Sequence, residues 1–261
     1  MKIGFIGLGN MGAALAQAVS QQADTQLLLS NHNPVKAHAL QEKVGGQLFS
    51  NGEIAEQAEV IFLGVKPHLI QSVLSGLRDQ ISQNPSAIWI SMAAGVTLNS
   101  LEEFVSADKL IRIMPNTPVA IGQGMTTYSV VNQELAPLLE QILEKSGKVQ
   151  QVPEKLIDAA TAIAGCGPAF VYQMIEALTD AGVQNGLTAE DAKILSAQTL
   201  AGTAQMVLYS DKHPAQLRQE VTSPGGSTIA GVVALEKEGF RYAVIKAVAA
   251  ALKKTRKLGK K

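Results

Sequence analysis

Short apolar runs alternate with helical spacing along the first half of the chain. Ile3-Gly4-Phe5-Ile6 runs into Gly7-Leu8-Gly9-Asn10-Met11-Gly12, and helical spacing follows from Ala13, so strand, tight turn and helix are predicted. Gln26–Ser30 is a second apolar strand. Asn33 caps a helix that starts at Pro34 and stops near Gly45-Gly46. Residues 60–65, Val-Ile-Phe-Leu-Gly-Val, form a continuous apolar run, as a strand buried on both faces should. After Pro67, Leu69, Ile70, Val73, Leu74 and Leu77 recur at helical spacing. Ile88–Ser91 is a strand, 98–104 a short helix, and Leu110–Met114 a strand ending at Pro115. Residues 125–130 and 149–152 read as closing strands around a helix at 135–145. Strands alternating with helices predict an α/β fold, a parallel sheet with helices on both faces.

The pattern changes near Pro153. Helices are predicted over 154–164, 169–182, 189–209, 215–221, Ser227–Lys237 and 242–257, punctuated by Gly165-Cys166-Gly167-Pro168, Gly186 and Ser223-Pro224-Gly225-Gly226. A domain boundary is therefore placed between 1–152 and 153–261. The helix at 189–209 is apolar or small nearly all round, through Ile194, Leu195, Leu200, Met206 and Val207. Such a helix is expected to be buried. In so small a domain, a partner subunit is expected to supply the cover. No internal repeat and no low-complexity segment interrupts the chain.

Composition narrows the functional classes. Acidic and basic residues number 22 each in 261, so the net charge points to no nucleic-acid partner. No apolar run approaches the length of a membrane span. The amino terminus reads as a core strand rather than a signal peptide. A single cysteine, Cys166, leaves no internal disulfide and no cysteine-rich metal site. His32, His38, His68 and His213 lack metal-ligand spacing, so no metal is expected. A cytoplasmic protein is the expectation. The basic end from Lys253 to Lys261 reads as a solvated helix terminus.

The first turn carries the most specific chemistry. Gly7 permits the sharp turn, Gly9 lets backbone approach a pyrophosphate, and Gly12 lets helix pack on strand. The helix start offers free N–H groups and the positive end of its dipole. This is a Rossmann-type dinucleotide signature, placing Gly7, Leu8, Gly9, Asn10, Met11 and Gly12 at a cofactor. NAD sites place a carboxylate on the adenosine ribose at the end of the second strand. Here that end reads Ser30-Asn31-His32-Asn33, with Lys36 nearby. Hydroxyl, amide and basic groups accept a 2′-phosphate, so the pattern points to NADP(H).

Val65-Lys66-Pro67 and Ala93-Ala94-Gly95 follow strands at the edge where open parallel sheets bind ligands. They are candidates for lining ribose and nicotinamide, with Lys66 alternatively a solvated cation. Asn116 and Thr117, between Pro115 and Pro118, either contact the ligands or belong to a rigid turn. Ser223-Pro224-Gly225-Gly226-Ser227-Thr228 opens a helix and forms either a receptor for a small carboxylate or an ordinary cap. No acid–base residue stands out. Hydride transfer to a carbonyl needs a proton donor, whereas transfer to a protonated imine does not. The pattern leans towards imine reduction.

These motifs together resemble the pyrroline-5-carboxylate reductase family. The resemblance rests on residues 5–12, 64–67, 91–95, 112–118 and 165–169, and above all on 221–236, Val-Thr-Ser-Pro-Gly-Gly-Ser-Thr-Ile-Ala-Gly-Val-Val-Ala-Leu-Glu. It implies reduction of L-1-pyrroline-5-carboxylate to L-proline by NADPH, with NADH also accepted, as the last step of proline biosynthesis. It implies an all-helical second domain that interlocks with another subunit, as a dimer or a ring of dimers. Carried over, Leu8 to Met11 hold the pyrophosphate and Ser30 and Asn31 the adenosine ribose or its phosphate. Val65, Lys66, Pro67, Ala93, Ala94 and Gly95 line ribose and nicotinamide. Ser223, Gly225, Gly226, Ser227 and Thr228 hold the substrate carboxylate, and Thr228 approaches the ring nitrogen as the catalytic residue. The chain departs from the family at Cys166 and Phe170, where serine and tyrosine are common. A β-hydroxyacid dehydrogenase would require a lysine on the first helix of the second domain, and 167–176 contains none. A nucleotide-sensing protein without catalysis is the reading from another class.

Overall fold

A computed structural model describes residues 1–258, the side chain of Leu258 apart; the last part of the basic terminus, 259–261, lies outside the described residues. The first half forms one eight-stranded sheet. Its strands are β1 (Lys2–Ile6), β2 (Gln26–Ser30), β3 (Gln47–Leu48), β4 (Val60–Leu63), β5 (Ile88–Ser91), β6 (Leu110–Met114), β7 (Gly124–Val130) and β8 (Gly147–Gln151). Their order is β3-β2-β1-β4-β5-β6-β7-β8. The β6–β7 pair is antiparallel and the other pairs are parallel. Strand order reverses around β1, so the glycine turn after it opens at the switch point, where this class of sheet binds its ligands.

The expected doubly covered sheet is observed. Along β1, Phe5 and Ile6 point to opposite faces and enter separate cores. One core gathers Phe5, Leu15, Leu29, Phe62 and Tyr128, beneath α1 (Asn10–Val19). Phe5 and Phe62 stack there with ring centroids 4.6 Å apart. The other gathers Ile6, Ile54, Leu63, Trp89 and Leu101. Burial on both faces explains the near-continuous apolar runs.

Asn33 caps α2 (Pro34–Val44) as expected, accepting from the Val35 and Lys36 amides, and Gly45 ends the helix at φ 73°. The sequence did not show β3 or α3 (Asn51–Gln57). The helix expected after Pro67 is broken into a 3₁₀ turn at Pro67–Leu69, α4 (Ile70–Ser75) and α5 (Arg78–Gln83), with Gly76 closing α4. Next come α6 (Leu98–Leu101) and α7 (Leu135–Ile142). Residues 154–164, expected as one helix, form a 3₁₀ turn at Glu154–Leu156, α8 (Ile157–Ala160) and a π-helical turn at Thr161–Gly165.

Two compact units result: Met1–Cys166 with the chain from Ala251 onward, and Gly167–Ala250. The change of pattern at Pro153 and the division of units do not coincide. Residues 153–166 are helical but belong with the sheet, because Arg112 of β6, 2% exposed, pairs with Glu154 at 3.1 Å and Asp158 at 3.2 Å. Glu154 also accepts the Leu98 amide at 2.7 Å.

The remaining helices are α9 (Gly167–Gln184), α10 (Ala189–Leu208), α11 (Pro214–Glu220), α12 (Ser227–Lys237) and α13 (Phe240–Leu258). α9 and α10 approach closely at Gly182, where an added Cβ would meet the Ala192 Cβ at 2.8 Å. The expectation that α10 is buried is corrected for the single chain. Of its residues only Ala192 and Ser196 are buried, while Ile194, Leu195 and Met206 are more than half exposed. The chain does not cover this helix itself.

Candidate active site

The glycine turn is built from three different constraints. Gly7 has φ 96°, and a side chain there would press on the Gly64-Val65 backbone at 2.8 Å. A Cβ on Gly12 would collide with the Gly7 carbonyl. Both glycines serve packing. Gly9 faces open space, with nothing within 4 Å of an added Cβ, and precedes α1 as an N-cap without a side-chain bond. The first amides of α1, at Asn10, Met11 and Gly12, therefore have no partner within the helix. Leu8 departs from expectation: its side chain is buried and its amide donates to Asn31 Oδ1 at 3.1 Å. It is not a free donor.

Gly7 N donates to the Ser30 carbonyl at 2.9 Å, which brings the turn beside the end of β2. A cleft of about 820 Å³ opens there. It brings together Gly7, Gly9, Ser30, Asn31, Val65 and Lys66 of the expected cofactor residues. Asn31 spends its carboxamide locally, accepting from Leu8 and donating to the Asn33 carbonyl at 3.0 Å. Ser30 Oγ donates to Asn51 Oδ1 at 2.7 Å. Lys66, His32 and His68 line the cleft and no lining residue is acidic, so the site suits an anion. Pro67, Ala94 and Gly95 line a neighbouring cleft of about 800 Å³ instead, and Ala93 is buried beside them.

Asn116 lines neither cleft. Its Nδ2 donates to the Ala164 carbonyl at 3.0 Å and its Oδ1 accepts the Met125 amide at 2.8 Å. The carboxamide is engaged in structure at both ends.

In the helical unit, Gly225 has φ 69° and the Gly226 amide donates to the Ser223 carbonyl at 3.1 Å. A Cβ on Gly226 would meet Ser223 Oγ, the end of an exposed side chain that can rotate away, and would lie 3.3 Å from the Ser223 carbonyl. Gly226 itself is the N-cap of α12 and no side chain caps the helix. Ser227 and Thr228 are already inside the first turn and exposed. The capping alternative is thereby removed for both hydroxyls. Exposed hydroxyls and free amides converge on one helix start, an arrangement that receives an anion.

Comparison with known proteins decides the family. Residues 154–258 match the model described as pyrroline-5-carboxylate reductase dimerisation. Residues 2–95 match the model described as NADP oxidoreductase, coenzyme F420-dependent. The pyrroline-5-carboxylate reductase of Pisum sativum is 38% identical over 98% of this chain and 95% of its own. A Plasmodium falciparum pyrroline carboxylate reductase, solved with NADP bound, superposes with a TM-score of 0.86 at 38% identity, covering 99% of both chains. The Coxiella burnetii pyrroline-5-carboxylate reductase gives a TM-score of 0.88 at 35% identity, over 98% of this chain and 97% of that one. The chain belongs to the pyrroline-5-carboxylate reductase family. It is an NAD(P)-dependent oxidoreductase with an amino-terminal Rossmann-like domain and a helical dimerisation domain.

As a member of the pyrroline-5-carboxylate reductase family, the chain carries a dimerisation domain that implies self-association. Sequence reasoning missed Asn51 and Ser50, which line the first cleft. The available signal was the capping box Ser50-x-x-Glu53, whose reciprocal bonds are formed. Among the described residues no helix is long and apolar enough to cross a membrane, and no cluster of metal ligands occurs.

Proposed function

We propose that this chain reduces L-1-pyrroline-5-carboxylate to L-proline, with NADPH as the preferred reductant and NADH also accepted. The family relationship over both units carries this reading, because the nucleotide turn and the 223–228 loop are covered together. The residues present suit the coenzyme. Gly9 leaves room beside free helix amides, and the cleft next to Ser30 is lined by Lys66, two histidines and no carboxylate. When bound, the nicotinamide supplies a hydride to the ring C=N carbon.

The amides of Asn10 and Met11 hold the pyrophosphate. Ser30, fixed by Asn51, and Asn31, which also orients Leu8, meet the adenosine ribose or its phosphate. Val65, Lys66, Pro67, Ala93, Ala94 and Gly95 line ribose and nicotinamide. Ser223, Ser227 and Thr228, with the amides after Gly225, receive the substrate carboxylate. Thr228 Oγ1 orients the ring nitrogen. A protonated imine needs no further acid, since its nitrogen becomes the amine of the product. Rate enhancement then comes from holding the reacting carbons together.

The division at 152/153 separates the nucleotide-binding sequence from the dimerisation and substrate sequence. Two chains interlock through the helical halves, and dimers assemble further into rings. Exposed Ile194, Leu195, Met206, Val233 and Ile245 supply apolar surface for that assembly. The working compartment is the cytoplasm. The test is coenzyme oxidation by purified protein, with proline identified as product. Rapid oxidation with pyrroline-5-carboxylate, NADPH preferred over NADH, is expected. Turnover only with the keto partners of hydroxy acids would reverse the assignment.

A further inference from the structure

The π-helical turn at Thr161–Gly165 lies at the ligand-binding edge of the sheet. A Cβ added at Gly165 would lie 4.0 Å from Met114, the last residue of β6, which brings the turn close to that strand end. Single π turns inside helices recur at functional sites. Here the cause is local. The Cys166 amide bonds the Thr161 carbonyl, five residues back, at 3.0 Å. The residue four beyond Ala164 is Pro168, which has no N–H, so the ordinary helical donor for the Ala164 carbonyl does not exist. A carbonyl in a part-buried setting without a donor is costly. Asn116 Nδ2 supplies that donor, from a residue that is itself 8% exposed.

The same carboxamide accepts the Met125 amide through Oδ1. One side chain thus ties three segments: the loop leaving β6, the start of β7, and the π turn that ends the first unit. β6, which this loop leaves, pairs with β5 up to Ser91↔Arg112, and β5 ends at Ser91, two residues before Ala93, Ala94 and Gly95. The walls of the nicotinamide region and the exit of the chain towards α9 are therefore referenced to one amide.

We infer that Asn116 is a positioning residue for hydride transfer: by donating to the Ala164 carbonyl left partnerless by Pro168, it sets the π turn against the catalytic edge of the sheet. It acts through the segments it ties and touches neither coenzyme nor substrate. This rests on the proposed reductase reaction, for which the wild-type enzyme is the control. No turnover of pyrroline-5-carboxylate by wild type would sink that reaction, whereas the inference concerns only how variants differ from an active wild type.

The experiment compares wild type, Asn116→Asp, Pro168→Ala and the double variant in full-length protein. Steady-state kinetics, NADPH binding by fluorescence and thermal unfolding are read for each. Asn116→Asp keeps the acceptor for Met125 and loses the donor to Ala164. It is expected to lower kcat about tenfold or more, since small misplacements of reacting atoms are costly, while the Kd for NADPH stays within about twofold of wild type, because no coenzyme contact is lost. Pro168→Ala restores a backbone donor four residues after Ala164. The loss caused by Asn116→Asp should therefore be smaller in that background, a coupling that independent sites would not show. Unchanged kcat in folded Asn116→Asp would overturn the inference. So would a weakened Kd for NADPH with kcat intact, which would make Asn116 a coenzyme contact. If Asn116→Asp fails to fold, recovery of a folded, active double variant supports the inference. Failure of both marks Asn116 as a folding residue only and overturns it.

Discussion

Thr228 has an exposed hydroxyl in the first turn of α12, with Gly226 as the cap. A threonine that capped the helix would lose stability on truncation. This one is expected to lose chemistry instead. Thr228→Ala should lower kcat by about a hundredfold, in the range of losing one oriented hydrogen-bond partner of the reacting group. The NADPH Kd and the unfolding temperature should stay near wild type. Wild-type turnover in the variant would remove Thr228 from the mechanism. The same scale separates residues that sequence treats alike. Gly7, Gly9 and Gly12 satisfy one motif, yet only Gly9 opens onto free space. Leu8 and Asn31 both carry polar backbone or side-chain groups towards the turn, but they spend them on each other. Asn116 is spent on Ala164 and Met125. Such commitments join residues up to 48 positions apart, and no local pattern encodes them.

Among elements, those with long apolar stripes were legible. β1, the glycine turn, α1, β4 and the capped α2 follow from spacing and turn chemistry alone. α3 was not, because it buries only Ile54 and Ala55 in seven residues. Its mark is the cap. Ser50 Oγ accepts the Glu53 amide at 3.2 Å, and Glu53 accepts from the Ser50 amide at 2.8 Å. Ser50→Ala is expected to destabilise the folded protein by about 1 kcal/mol. It should also weaken NADPH binding, since Ser50 and Asn51 line the first cleft. A melting curve and a binding titration check both, and an unaltered melt would show that α3 does not depend on its cap. The Ser50 bonds hold the Glu53 carboxyl below its ordinary pKa. That contribution is present above the unfolded pKa and fades as pH falls through the lowered folded value, and Ser50→Ala should remove its larger, side-chain part while the bond from the backbone amide of residue 50 remains. The segment after Pro153 was read as part of the helical half from its composition. Its attachment to the sheet depends on buried Arg112, a residue that sequence could place on β6 but not pair with Glu154 and Asp158. α10 carries the converse lesson. Its all-round apolar pattern states that it will be covered, and is silent on whether the same chain supplies the cover.

For the whole molecule, the two proposed anion receptors fall in separate compact units. One is the glycine turn with its cleft lined by Lys66 and no carboxylate, and the other is the start of α12. Balanced charge, 22 acidic against 22 basic residues, leaves both to local geometry rather than to a global field. The exposed apolar faces of the helical half accord with the self-association implied by its dimerisation domain. The central claim is that these receptors serve one hydride transfer to an imine carbon. The direct measurement uses NADPH bearing deuterium at the transferred position of nicotinamide C4, with unlabelled pyrroline-5-carboxylate, and locates the label in the product. The account predicts proline carrying one deuterium on the ring carbon that is bonded to nitrogen and remote from the carboxylate. Proline formed without deuterium, or coenzyme oxidised with no proline formed, would contradict it.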